Sequence, residues 1–163
     1  MIEIKTPKGT ASKLYLVHPD TKFDAEGKYR VDVTLNAVEA AELLGICMAE
    51  AISAFGPKRA EKVKMPYSAN GADTVTFAFK SKSKPNLYDA RATLIAPATV
   101  ESLRIGDGST IRVTGEVMTY ECFGGGVLLY LHDVQIIHLV DNSGFEADTS
   151  GSFVVRDDQG QYR

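Results

Sequence analysis

Apolar and polar residues alternate along two segments of the chain, Lys28–Leu35 and Thr74–Lys80. In the first segment the odd-numbered positions are apolar and the even-numbered positions are polar. In the second, Val75, Phe77 and Phe79 share one side. Successive side chains of a strand point to opposite faces, so both segments are predicted to be half-buried strands.

A different period follows the first strand. Apolar residues from Leu43 to Phe55 recur at the spacing that places them on one side of a helix. Asn36, with Glu39 three residues later, has the pattern of a capping box, and Gly56-Pro57 is a stop signal. The sequence therefore predicts one amphipathic helix from about residue 37 to Phe55.

The remaining patterns add further strands. We expect strands over Ser12–His18, over Leu87–Ile95, around Ile111–Val117 and over Val127–Val140, with Gly124-Gly125-Gly126 as a hairpin connection before the last one. Many strands, short turns and one helix favour a mainly β protein, an antiparallel barrel or sandwich. The periodicity alone does not distinguish between these architectures.

Composition limits the domain count. The chain has 163 residues, 44% of them hydrophobic and 24% charged, which suits one globular domain. We expect this domain to span residues 1–140. Residues 141–163 are rich in Ser, Gly, Asp and Gln, and we predict a mobile, mildly acidic tail. Neither a signal peptide nor a transmembrane helix is expected, and two cysteines, Cys47 and Cys122, suit a reducing compartment.

Charge is segregated along the chain. The net charge is −3, yet residues 58–91 hold eight basic and three acidic residues, whereas residues 141–163 have a net charge of −3. A basic stretch beside acidic segments is the electrostatic pattern of a chain that binds an anionic polymer with one surface.

The sequence lacks recognisable catalytic, metal-binding and phosphate-binding motifs. His18, His132 and His138 lack metal-ligand spacing, and the glycine run lacks the Lys-Ser/Thr of a phosphate-binding loop. We therefore expect no enzyme activity, no metal and no cofactor.

The candidate binding residues are cations and aromatic rings. Lys80, Lys82 and Lys84 recur at period two, which would place three ammonium groups on one face if the strand continued. Single-stranded nucleic acid is bound by such cations together with rings on which bases stack. The alternative is an edge strand whose lysines prevent aggregation. The full candidate set is Arg30, Tyr67, Lys80, Lys82, Lys84, Tyr88, Arg91, Tyr120 and Phe123.

Several segments, taken in order, resemble the single-stranded-DNA-binding proteins of short-tailed phages and their relatives. The matching pieces are Gly27–Leu35, Asn70-Gly71, Thr74–Lys80, Ile105–Ser109, Ile111–Val113, Tyr120, Phe123 and Val127–Val140. The resemblance implies a five-stranded antiparallel Greek-key barrel of the OB type with a helix packed on it. It also implies that Tyr120 and Phe123 are the aromatic pair before the last strand, and that Lys80 is the basic residue that closes the Phe-x-Phe strand.

The same resemblance implies a function. It suggests a protein that coats single-stranded DNA without sequence preference in phage replication and recombination, in the cytoplasm of the infected bacterium. In the family an acidic tail with a terminal aromatic residue contacts the polymerase and helicase, but here the tail is short and ends in Gln159–Arg163. A protein-interaction module on the same barrel is the alternative function. A monomer and a homodimer both suit the sequence, as do DNA and RNA.

Overall fold

The computed structural model describes residues 2–20 and 27–140. Its strands are β1 (Ile2–Lys5), β2 (Gly9–Asp20), β3 (Lys28–Asn36), β4 (Tyr67–Asn70), β5 (Thr74–Ser81), β6 (Asn86–Tyr88), β7 (Thr110–Tyr120) and β8 (Gly126–His138). Its helices are α1 (Ala37–Phe55), α2 (Pro57–Ala60) and α3 (Pro97–Val100), and a short 3₁₀ turn covers Cys122–Gly124. The predicted tail, 141–163, lies outside the described residues.

Five strands close into a ring. β2 pairs with β3, β3 with β5, β5 with β8, β8 with β7, and β7 with β2. This closed ring of pairings, in a mainly β chain, is in keeping with the OB-type barrel that the resemblance implies. All these pairs are antiparallel except β5 with β8, a short parallel seam at Phe79–Leu129 and Lys80–Tyr130. β1, β4 and β6 extend the sheet at its edges.

The barrel interior holds the apolar residues that the alternation assigned to one face. Val31, Val33, Phe77 and Phe79 are completely buried, and Leu129 is nearly so. Their even-numbered neighbours on β3 and β5 therefore face outward. The predicted inner face of both strands is confirmed.

Helix α1 packs on β3, β5, β7 and β8. Asn36 caps it as predicted: its side-chain oxygen accepts a hydrogen bond from the Glu39 N–H at 2.8 Å, and its amide donates to the Glu39 carboxylate at 2.9 Å. The helix ends where Gly56 donates its N–H to the Ile52 carbonyl. Burial on the barrel raises the pKa of the Cys47 thiol to about 12.

One strand prediction was wrong. Residues 87–95 do not form one strand, because the Asp89 side chain accepts the N–H groups of Arg91 and Thr93 and folds the chain into a turn after β6. β5 ends at Ser81, whose hydroxyl accepts the Ser83 N–H at 2.9 Å, so Lys82 and Lys84 do not continue its outer face. β1 and β4, and the helices α2 and α3, were not predicted.

Candidate nucleic-acid interface

Two cations lie opposite each other on the outer face of β3 and β5. Arg30 on β3 is the direct register partner of Lys80 on β5. Like charges directly opposite each other on neighbouring strands are destabilising, so this pair is a local conflict that folding alone does not favour. Such conflicts concentrate at functional sites.

Three more cations surround this pair. Lys13, Lys28 and Lys64 line the same outer surface. The pKa of Lys80 is lowered, first by partial burial and then by the charges of Arg30, Lys64 and Lys28, with Asp32 opposing the shift. The ammonium group thus lies in a positive potential that an anion would relieve.

Lys13 reaches the surface through a break in the regular strand. The β2–β3 register shifts between Ser12 and Tyr15, which marks a β-bulge, and Lys13 has a left-handed φ of 51°. A non-glycine residue in this region costs roughly 1–2 kcal/mol. Sequence reasoning missed Lys13, because a bulge without glycine leaves no local signal in the chain.

One acid lies within the cationic surface. Asp32 is only 6% exposed, and its two carboxylate oxygens accept hydrogen bonds from Arg30 at 3.1 and 3.3 Å. A two-point bond of this kind fixes the plane of the guanidinium group. Arg30 is therefore oriented before any ligand arrives, with part of its charge already compensated.

The β7–β8 hairpin brings aromatic residues to the same surface. Phe123, in the 3₁₀ turn, is 99% exposed and has a left-handed φ of 56°. The ring of Tyr120 lies over Gly126, where any Cβ would be 2.3 Å from its hydroxyl. Gly126 thus provides the space that keeps Tyr120 against the hairpin.

Tyr67 occupies a different environment from these two residues. Its ring packs at a tilt on Phe77, with 5.6 Å between the centroids. Burial and the neighbouring Cys47 thiol raise the pKa of Tyr67. Tyr67 is half-buried and presents only part of its ring to the outside.

These residues enclose an open groove of about 650 Å³. Arg30, Tyr67, Lys80, Tyr120 and Phe123, all predicted from the sequence as candidate binding residues, line it together. The lining also includes Lys13, Lys28, Asp32, Lys64, Met65, Pro66, Ser68, Thr76, Ala78, Cys122 and Val127–Leu129. The groove therefore combines five cations, one paired acid and three aromatic rings.

The other four candidates do not line this groove. Lys82 is exposed in the bend after β5, and Lys84 forms an ion pair with Glu101 at 3.0 Å that lowers the pKa of that carboxyl group. Tyr88 pairs with Gln135 near the other end of β8. Arg91 sits in the Asp89 turn.

Within the described residues no cluster of His, Cys, Asp or Glu could hold a metal ion. Among the helices of residues 2–20 and 27–140, none is long and apolar enough to cross a membrane.

Comparison with solved structures gives the same architecture. No family model and no curated protein matches the chain. The single-stranded DNA-binding protein gp2.5 of bacteriophage T7 superposes with a TM-score of 0.71 at 21% identity, over 95% of this chain and 98% of that one.

The single-stranded DNA-binding protein of bacteriophage Enc34 superposes with a TM-score of 0.64 at 15% identity, over 91% and 88% of the two chains. Its complex with single-stranded DNA gives 0.63 at 14% identity, over 82% and 85%. The names of these neighbours state single-stranded DNA binding. The chain has the fold of phage single-stranded-DNA-binding proteins, an OB barrel with one long helix packed on it.

Proposed function

We propose that this protein binds single-stranded DNA without sequence preference and coats it. One observation carries the proposal: two cations, Arg30 and Lys80, face each other across strands in a groove that also presents the fully exposed ring of Phe123. A polyanion with unstacked bases satisfies both features, because its phosphates relieve the charge conflict and its bases cover the ring.

The groove lies where OB barrels bind oligonucleotides. It is formed by β3 and β5, the second and third strands of the barrel, and by the β7–β8 hairpin, which joins the fourth and fifth. The shared position of this groove and the binding face of other OB barrels is an analogy between folds. The cations and exposed aromatic rings of the groove support DNA binding independently of it.

Single strands suit the groove better than duplex. In a duplex the bases stack on each other and offer no free ring face to Tyr120 or Phe123, whereas the bases of a single strand can stack on both. No base-reading constellation is evident among the lining residues that the structure describes, and stacking accepts any base. The expected binding is therefore sequence-nonspecific.

The proposed biological setting is phage DNA replication and recombination in the cytoplasm of an infected bacterium. It is supported by the fold shared with phage proteins whose names state single-stranded DNA binding. Polymerase and helicase are the proposed partners of residues 141–163. Lys82, Lys84, Tyr88 and Arg91 stay predictions from the sequence, and the groove does not depend on them.

The groove charge can be tested with a matched pair of variants. Lys80→Ala removes a cation from the groove, whereas Lys8→Ala removes an exposed cation next to Gly9, about 20 Å away along the barrel. We expect Lys80→Ala to weaken binding to oligo-dT and to reduce the salt slope by about one phosphate contact. Fluorescence anisotropy across a salt series measures both quantities.

Lys8→Ala should leave affinity and slope near those of the wild type. Equal effects from the two variants would mean that the protein attracts DNA through its overall charge and not through the groove.

A further inference from the structure

A row of outward side chains crosses four strands of the barrel at one level. Tyr15 on β2 pairs with Arg30, Arg30 with Lys80, and Lys80 with Tyr130 on β8. With neighbouring strands about 4.8 Å apart, the row spans about 14 Å. We call these four residues the cross-strand row: an aromatic ring, two cations and a second aromatic ring.

The β-bulge places Tyr15 in this row. Ser12 pairs with Asp32, so a regular ladder would bring Leu14 opposite Arg30. The extra residue in β2 brings Tyr15 to that place instead, and its side chain is 38% exposed. The left-handed Lys13 that makes the bulge therefore brings both a cation to the groove and an aromatic ring to its side.

Tyr130 is held in position at the other end of the row. The hydroxyls of Ser81 and Ser83 hydrogen-bond its phenol oxygen and lower the pKa of Tyr130. The His132 ring lies 5.4 Å from the Tyr130 ring, and His132 Nε2 is 2.6 Å from the Glu116 carboxylate. These contacts place the Tyr130 ring at the end of the row, beside Lys80.

Beyond Tyr130 the charge of the row changes sign. Tyr130 pairs with Glu116 on β7, and Glu116 pairs with Glu3 on β1. Two carboxylates repel a phosphate backbone. The surface that can hold a polyanion therefore ends at Tyr130.

We propose that Tyr15 and Tyr130 are two outer base-stacking subsites, and that the bound strand crosses β2, β3, β5 and β8 along the cross-strand row and stops before Glu116. The inference rests on the proposed function and adds the path of the strand and its boundary. It assigns two binding residues that lie outside the groove lining.

Alanine and phenylalanine variants at both positions test the subsites. Tyr15→Ala and Tyr130→Ala should each weaken oligo-dT binding at least roughly fivefold, the lower end of the effect of losing one base stack. Tyr15→Phe and Tyr130→Phe keep a ring and should bind within about twofold of the wild type, because stacking needs only the π face. Val38→Ala, at an exposed position of α1, is the comparison at a site away from the row.

Tyrosine fluorescence gives a second measurement that does not depend on alanine variants folding. The chain has 7 tyrosines and no tryptophan, so quenching by DNA reports stacked tyrosines directly. Both phenylalanine variants should lose part of the quenching while they keep their affinity. Tyr29→Phe, at a ring that packs against the barrel core, should retain the full quenching amplitude.

The possible results separate the two proposals. If the wild type does not bind single strands, the proposed function and the subsites both fail. If the wild type binds and Lys80→Ala weakens it, but the Tyr15 and Tyr130 variants match the wild type in affinity and quenching, the subsites are wrong and the function stands.

Discussion

Two of the three non-glycine residues with a left-handed φ, among those described, line the proposed binding groove. Lys13 has a φ of 51° and Phe123 a φ of 56°, and the third, Ala92, lies in the turn after β6. Each such residue stores strain that the rest of the fold must offset, and strained backbone tends to collect at binding sites. Two groove residues therefore adopt backbone conformations that lower local stability, which is typical of positions that serve binding.

A substitution at Phe123 should separate an effect on DNA affinity from an effect on the free energy of unfolding. Phe123→Gly removes the exposed ring and suits the left-handed backbone. We expect binding of oligo-dT to weaken roughly 5- to 150-fold, from the loss of about 1–3 kcal/mol of stacking. The free energy of unfolding should stay within about 1 kcal/mol of the wild type or increase, because relieved strain offsets the added chain entropy.

Anisotropy and urea unfolding measure these two quantities. Phe123→Leu keeps a side chain and the strained backbone but has no aromatic face, so it should lose affinity without gaining stability. A Phe123→Gly protein with unchanged affinity would exclude the ring as a stacking site.

The residue-scale predictions from the sequence depended on local signals. Tyr120 and Phe123 stand before a glycine run that marks a hairpin. The alternation along β3 and β5 correctly predicted that Arg30 and Lys80 face outward, and the pairing of the two strands places them side by side. Tyr15 and Lys13 could not be found in this way. Their positions depend on a bulge that only the pairing of β2 with β3 reveals.

At the scale of elements, the β7–β8 hairpin is braced by the chain that follows α1. Arg59 donates to the Glu121 carboxylate at 3.1 Å and lies over the Phe55 ring at 4.8 Å. The Lys64 N–H donates to the Gly125 carbonyl, and the Val127 N–H to the Lys64 carbonyl. Phe123 is almost fully exposed, so these backbone and side-chain contacts set its orientation.

These contacts predict that Glu121→Gln changes DNA affinity in the direction opposite to the one that charge alone predicts. Glu121→Gln removes an acid beside the groove, which should tighten DNA binding if only charge mattered. We expect it instead to weaken binding severalfold, because losing the Arg59 ion pair frees the hairpin and raises the entropy cost of ordering it. Anisotropy at low and high salt measures the change.

Arg59→Ala should weaken binding more than Lys58→Ala, the same charge change at the neighbouring exposed residue of α2. Tighter binding by Glu121→Gln at low salt would show that the ion pair does not position the hairpin.

Long elements with a clear period were predictable and short ones were not. The Asn36 cap, the apolar stripe and Gly56 fixed the limits of α1, and alternation predicted β3 and β5. β1 and β4 have four residues each, too few for a period to be recognised. The apolar content of residues 89–95 suits a strand. The hydrogen bonds that the Asp89 side chain accepts from the backbone stabilise a turn there instead, and the apolar pattern gives no sign of them.

At the scale of the whole molecule, binding depends on where charges lie and not on their total. The net charge of the chain is −3, yet five cations line one groove, and the acids Glu3 and Glu116 stand together on the next part of the barrel. Only Lys64 and Lys80 among these five cations belong to the basic stretch 58–91, so the charge segregation along the sequence accounts for two of them. Ring closure through the parallel β5–β8 seam could not be derived from periodicity, since it depends on contacts far apart in the chain.

The most direct test of the account compares single-stranded and duplex DNA. Anisotropy would be measured with a labelled oligo-dT of about 30 nucleotides, longer than the roughly 4–16 that one OB fold covers, and with duplex of equal length, across a salt series. We predict strong preference for the single strand and a log–log salt slope of roughly −3.5, from five groove cations that each release about 0.7 counterion. Equal binding to both forms, or none to the single strand at low salt, would contradict it.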